Sequence, residues 1–183
     1  TVFSIGVEIK EATAREWLEL SGDSIGTALI GKLLPHTALF FLMGIFYNVY
    51  LYGILHFPCN SGMLPMLFAT LCLIVASQCC GIAMIGALPT LRLGLSIASL
   101  WGVISFSISG FSFPVMAMHP ALQALSNLFP LRHYFLIYAD QALNGYSMLY
   151  AWKSYLALFL FMLLPFLVAR PLKKALTHYK YIP

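Results

Sequence analysis

Apolar residues run along this chain in long unbroken blocks, and polar residues collect at the edges of those blocks. No Asp, Glu, Lys or Arg occurs from Leu33 to Leu91, and none from Leu93 to Leu131. Each block far exceeds the roughly 20 apolar residues that carry a helix across a bilayer. Turn-forming residues divide the blocks: "PCNSG" at 58–62, Pro89-Thr90 followed by Arg92, and Asn144-Gly145. The pattern predicts membrane-spanning helices over residues 31–57, 63–88, 93–113 and 148–170. Pro35 falls near the start of the first span, where a missing N–H costs least. Arg170-Pro171 ends the last span and leaves a basic cytoplasmic tail over 171–183.

Ahead of the first span, "EIKEATAREWLEL" (8–20) has helical periodicity and predicts one amphipathic helix within the segment 8–22. Thr13, Trp17 and Leu20 share a face, and Glu11/Arg15 and Arg15/Glu19 are spaced for i,i+4 pairs. "SGDS" (21–24) breaks this helix, with Asp23 or Ser24 placed to cap the next one. Residues 1–7 read as the end of an earlier span, and the chain as the C-terminal part of a longer protein.

The stretch "GFSFPVMAMHPALQALSNLFPLRHYF" (110–135) departs from the simple pattern. It is as apolar as a span, yet it carries Pro114, Pro120 and Pro130. Pro114 ends one helix, Pro120 sits where a short helix begins, and Pro130 separates that helix from the next. Neither piece is long enough to cross a bilayer. The basic residues argue the same way. Lys10, Arg15, Lys32, Arg92, Arg170, Lys173, Lys174 and Lys180 share the cytoplasmic side only if segment 114–145 begins and ends on the other side. The expectation is an all-α integral membrane bundle with a short cytoplasmic helix and an extracytoplasmic re-entrant helical hairpin. Irregular backbone at membrane depth must be buried by protein or solvated by a wet cavity, so the hairpin should line something polar.

Composition excludes an ordinary soluble domain: 9% of residues are charged, against about 25% in soluble proteins. The net charge of +4 is unevenly spread, with Glu8, Glu11, Glu16, Glu19 and Asp23 making the N-terminal segment acidic. A helix of that charge is repelled by anionic lipid, which favours a protein partner over the membrane surface. Trp17 beside these charges suits a binding anchor. The basic tail is too small for nucleic-acid binding. Cys72, Cys79 and Cys80 lie in an apolar run and read as small packing residues; with Cys59 they have no metal-ligand spacing.

The chemistry-bearing residues are few. Asn48 and Gln78 are the most polar side chains deep in the first two spans, and either line a path or bond across helices. Gly94, Ala98, Gly102, Ser105 and Ser109 form a small-residue stripe on the third span. Ser99, Gly102, Ser105 and Ser109 are thus candidates for a translocation path or dimer seam; packing within one chain, with serines bonded to their own helix, is the favoured reading. His36, His56, His119 and His133 read as boundary residues. No phosphate-binding G-x-x-x-x-G-K-[ST] loop occurs, and no catalytic carboxylate pair, Ser/His/Asp set or metal motif. The chain therefore holds no cofactor of its own.

"SGFSFPVMAMHPALQALSNLFPLRHYF" resembles the signature of ABC-2 type transporter permeases, and "EIKEATAREWLELSGDSIGTALIGKLLPH" looks like the cytoplasmic segment of that family. The resemblance covers nearly the whole chain. Ala12 stands where many members have Gly, and Arg132-His133 is more polar than usual after the last hairpin proline. It implies a permease subunit in a bacterial cytoplasmic membrane, paired with a second permease chain in a homo- or heterodimer. ATP and Mg would belong to a separate ATP-binding-cassette subunit. Glu11, Thr13, Arg15, Glu16, Trp17 and Leu18 would form the coupling helix seated on that subunit. Phe113, Pro114, His119, Pro120 and Pro130 would belong to a re-entrant outer gate. An earlier span and an extracytoplasmic domain would precede Thr1. Spans without buried charge favour an amphipathic, drug-like or lipid-like substrate over a small ion. The alternatives are a passive channel or structural membrane subunit and, more remotely, an intramembrane enzyme built on lone histidines and Asp140.

Overall fold

The computed structural model describes residues 1–11 and 13–178; Ala12 and residues 179–183, with Lys180, lie outside the described residues. Every regular element among the described residues is helical. In order these are α1 (Val2–Lys10), α2 (Ala14–Leu20), α3 (Ile25–Asn48), α4 (Met63–Ala87), α5 (Leu91–Ile108), α6 (Pro120–Ser126), α7 (Pro130–Ile137), α8 (Trp152–Met162) and α9 (Leu164–His178). Wider π-type turns extend α3 through Val49–Ile54 and α7 through Tyr138–Leu143, and a short 3₁₀ turn spans Val115–Ala117. Four stretches are long and apolar enough to cross a membrane: Ile25–Ile54, Met63–Ala87, Leu91–Ile108 and Trp152–Leu176.

These match the expected spans in number and order but differ at their ends. The first begins at Ile25 rather than residue 31, because the chain reverses at Gly22 and Asp23, whose φ of 67° and 58° are left-handed, and helix follows at once. Pro35 therefore lies inside the helix. The third span stops at Ile108, short of 113, where Gly110 takes φ 110°. The last is broken at Leu163, since Pro165 in the first turn of α9 has no N–H for the carbonyl four residues back. It then runs through Pro171 to His178, so most of the expected tail is helix.

The expected single helix over 8–20 is two. α1 ends at Lys10 and α2 begins at Ala14. Across the break, Glu8 accepts hydrogen bonds from both Thr13 and Lys32. Glu11 falls outside the helix, so only the Arg15–Glu19 pair forms, at 3.2 Å. The buried face of α2 is Ala14 and Leu18 rather than Thr13, Trp17 and Leu20; Leu20 is 89% exposed.

The described chain divides into two compact units. The described part of the first comprises residues 1–11, 13–38, 78–101 and 162–178. Its core gathers Ile5 and Ile9 of α1, Ala14 and Leu18 of α2, Leu29 and Leu33 of α3, Ile85 of α4, and Leu172 and Leu176 of α9. Glycines bring these helices close. A Cβ on Gly86 would stand 3.0 Å from Val168, and one on Gly94 would stand 3.0 Å from Ile85 and 3.1 Å from Val2.

The second unit comprises Leu39–Ser77 and Gly102–Phe161. Here a Cβ on Gly44 would stand 2.7 Å from the Thr70 methyl, so α3 and α4 nearly touch. Asn60 closes the π-type end of the α7 segment: its backbone N–H donates to Ala142 O at 3.1 Å and its Nδ2 to Leu143 O at 2.8 Å. Those carbonyls belong to its last turn, where intrahelical donors run out.

Leu18 and Leu20 lie two residues apart on α2 with opposite burial, 1% and 89% exposed. Leu18→Ala should lower the unfolding free energy of the intact protein in detergent by about 2–4 kcal/mol. Leu20→Ala should change it by less than about 0.5 kcal/mol. Paired thermal and denaturant unfolding curves check both.

Candidate functional site

An acidic residue in the last turn of a helix meets the negative end of the helix dipole and needs compensation. Glu8 stands in that position on α1. Its carboxylate accepts hydrogen bonds from Lys32 Nζ of α3 and from Thr13 Oγ1 at the start of α2. The ion pair is largely enclosed, its side chains 18% and 19% exposed. The Lys32 ammonium also stands 4.9 Å from the centroid of the Trp17 ring, a cation–π contact. One carboxylate and one ammonium thus tie α1, α2 and α3 together. Burial by itself would push the Glu8 carboxyl up. The hydrogen bonds from Lys32 and Thr13, with the charge of Lys32, more than offset that and hold it below the ordinary carboxylate range.

This lock fixes which side of α2 faces outward. Glu11, Arg15, Glu16, Glu19 and Leu20 are exposed. Arg15 and Glu19 pair at 3.2 Å with side chains 81% and 61% exposed, which contributes little to stability. The outward surface is acidic overall, with Leu20 at its end. Trp17 is half-buried on its own chain and Leu18 is wholly buried, so neither belongs to the open surface. On the far side of the turn, Lys173 Nζ of α9 donates to Asp23 O at 2.6 Å.

The residues expected along a path or dimer seam fall in both units. In the first unit, Thr37 donates to Gln78 Oε1 at 2.8 Å, joining α3 to α4, while Gln78 Nε2 is buried without a partner. In the second, Asn48 Nδ2 donates to Gly44 O at 2.7 Å and to Thr70 Oγ1 at 3.3 Å; Thr70 lies 3.5 Å from the Tyr134 hydroxyl. Asn48 and Gln78 thus each bond across helices. On α5, Ser99 and Gly102 are exposed and Gly102 has nothing within 4 Å of a Cβ position. Ser105 and Ser109 are buried, and Ser109 returns its proton to Phe106 O at 3.1 Å. Ser96 and Ser107 likewise bond the carbonyls of Arg92 and Val103.

The expected gate residues sit around the start of two short helices. Pro120 and Pro130 occupy the first positions of α6 and α7, where a missing N–H is harmless. His119 caps α6, its Nδ1 accepting from Ala121 N at 3.3 Å. Phe113, Pro114, His119 and Pro120 are exposed, and Pro130 is buried. Sequence reasoning passed over Glu8 and Lys32 as site residues, although they are the first acid of the chain and the first base on a span. It also passed over Gln141, fully buried on the π-type turn, which accepts from Tyr155 Oη at 3.2 Å and leaves its Nε2 unpartnered. No spacing signals that pair.

Breaking the Glu8–Lys32 pair should be costly because it leaves an enclosed charge alone. Glu8→Gln and Lys32→Met should each lower stability by roughly 2–3 kcal/mol, and the double variant by clearly less than their sum. A double-mutant cycle of unfolding curves measures this. A lowered carboxyl contributes stability above its unfolded value and loses it as pH falls through its folded value. The coupling should therefore vanish below the ordinary carboxylate range and be full at neutral pH.

Among protein families, the chain matches the ABC-2 family transporter protein over residues 1–170. No curated protein and no solved structure matches it. The matched region takes in α1 to α8 and the first half of α9. It therefore holds all four candidate spans except the end of the last, together with the Glu8–Lys32 lock and both proline-led short helices. This multi-pass membrane protein belongs to the ABC-2 family of transporters, as a transport component rather than a catalytic one.

Proposed function

We propose that this protein is the permease subunit of an ATP-driven exporter in a bacterial cytoplasmic membrane. A separate ATP-binding-cassette subunit binds ATP and Mg and supplies the energy, and an amphipathic, drug-like or lipid-like substrate moves outward. The single observation that carries the reading is the outward face of α2. It is acidic, solvent-facing and anchored to spans of an ABC-2 family chain.

The anchoring suits a lever. α2 is held to α1 and α3 by Glu8, Lys32 and Trp17, and to α9 through the core shared by Leu18, Leu172 and Leu176. A push on α2 by a closing ATPase is passed to helices that enter two of the candidate spans. Glu11, Arg15, Glu16 and Glu19 then meet the ATPase, while Thr13, Trp17 and Leu18 position the helix from within. Segment 114–145, broken at Pro114, Pro120 and Pro130, is the re-entrant outer gate of this scheme. Exposed Ser99 and Gly102 on α5 suit close approach by a second permease chain.

The test is co-purification of the intact permease with its candidate ATPase subunit, followed by ATP hydrolysis. Glu16→Lys with Glu19→Lys leaves the core of α2 untouched and should cut ATPase capture by at least about tenfold, a change of about 1.4 kcal/mol. Membrane yield and unfolding temperature should stay those of wild type. Capture that is absent from the wild type, or indifferent to both reversals, overturns the reading and brings a passive channel or structural subunit to the front.

A further inference from the structure

The second unit contains three charged side chains, Arg132, Asp140 and Lys153. Arg132 stands in the first turn of α7, half-buried. Neither ion pair among the described residues involves it. A guanidinium carries five N–H donors and no acceptor. Arg132 Nη1 donates to Ser109 O at 3.2 Å, at the end of α5, while its Nε is enclosed without a partner. A partly enclosed cation so poorly supplied is costly unless an anion completes it.

The surroundings show how the guanidinium is admitted and what lies beside it. A Cβ at Gly110 would stand 3.0 Å from Arg132 Nη1 and 2.9 Å from the Phe135 ring, and the backbone there has φ 110°. Only glycine suits both conditions. Phe135 packs on Phe111 with centroids 4.7 Å apart, and Phe111 stacks on Phe106 at 6.3 Å with the rings 3° from parallel. Phe106 and Phe111 are 56% and 43% exposed. A cation lacking a counter-ion therefore adjoins an open aromatic ledge. An arginine that only snorkels to the interface needs neither a glycine cut-out nor a carbonyl clamp.

We propose that Arg132, Gly110 and the Phe106–Phe111–Phe135 ledge form a binding site for a phosphate-bearing amphiphile. The guanidinium takes the headgroup and the rings take the start of the apolar chain. Arginine suits this because its planar fork engages two oxygens of a phosphate at once. Two sources share the chemistry: a resident phospholipid and a transported amphiphile. The inference stands on the geometry of the second unit and does not require the ATPase partner.

The test is native mass spectrometry and equilibrium titration of the intact protein in a neutral detergent. The probes are dioleoyl phosphatidylglycerol, dioleoyl phosphatidylcholine, dodecyl phosphate and inorganic phosphate. Wild type should bind one phosphatidylglycerol at least about tenfold more tightly than phosphatidylcholine, and should ignore inorganic phosphate. Arg132→Gln should abolish the preference, and Arg132→Lys should keep part of it, since charge remains while the fork is lost. Should the Gln variant unfold, Arg132→Lys and Phe111→Ala decide, each expected to weaken dodecyl phosphate by about threefold or more. Stimulation of ATP hydrolysis by dodecyl phosphate in the assembled complex, lost in Arg132→Lys, identifies a transported amphiphile. Binding without stimulation identifies a resident lipid. Equal affinity for the two phospholipids in wild type, or an unchanged preference in folded Arg132 variants, overturns the proposal.

Discussion

In hydrocarbon a polar group has no water to fall back on, so every one must be answered within the chain or by something bound to it. That constraint organises this structure more than apolar attraction, which is weak between helices already surrounded by lipid. It explains why Ser96, Ser107 and Ser109 turn back to their own helix carbonyls. It also explains why buried polar side chains come in pairs: Thr37 with Gln78 and Asn48 with Thr70 between two spans, and Tyr155 with Gln141 of the π-type turn. Each pair is a polar fixed point between packed segments.

The same constraint separates what the sequence discloses from what it conceals. Blocks free of charge announce the spans, because burial of charge in lipid is so costly that the blocks must be long and clean. Proline announces α6 and α7, because it is harmless only at the first turn. The ends of helices are less visible. Residues 25–30 are apolar enough for either side of a boundary, so the start at Ile25 rather than residue 31 has no local mark. Lys32 can lie inside α3 because Glu8, 24 residues earlier, answers it. That partnership is tertiary and has no local signature. Thus the residues of α2 were readable as a helix, while its buried face was not.

Packing draws a second distinction, between the small-residue stripe as a pattern and as a contact. Gly94 is filled by Ile85 and Val2, so it serves this chain's own core. Gly102, two turns on, meets nothing. The i,i+4 spacing is identical at both positions, and only the neighbours differ. Exposure along the candidate spans follows the same logic. Half of the most apolar stretch of α4 is buried, 50%, against 11% for the first and third spans. α4 carries Gln78 in the first unit and Thr70 in the second, each a partner of a cross-helix bond.

The exceptions to internal satisfaction then become informative. Among the described residues, the hydroxyls of Ser61 and Thr90, Gln78 Nε2, Gln141 Nε2 and Arg132 Nε are enclosed without partners. The hydroxyls are neutral. The two amides are neutral, and each already makes one bond through its oxygen, so their cost is modest. Arg132 differs in kind. Its charge cannot be shed by deprotonation, which removes the usual escape of a buried ionisable group. A chain that keeps such a group half-enclosed, clears Gly110 to admit it and sets open aromatic rings beside it has placed an unanswered charge next to an unanswered apolar surface. One amphiphile with an anionic head answers both, whereas water answers the first alone and lipid tails the second alone.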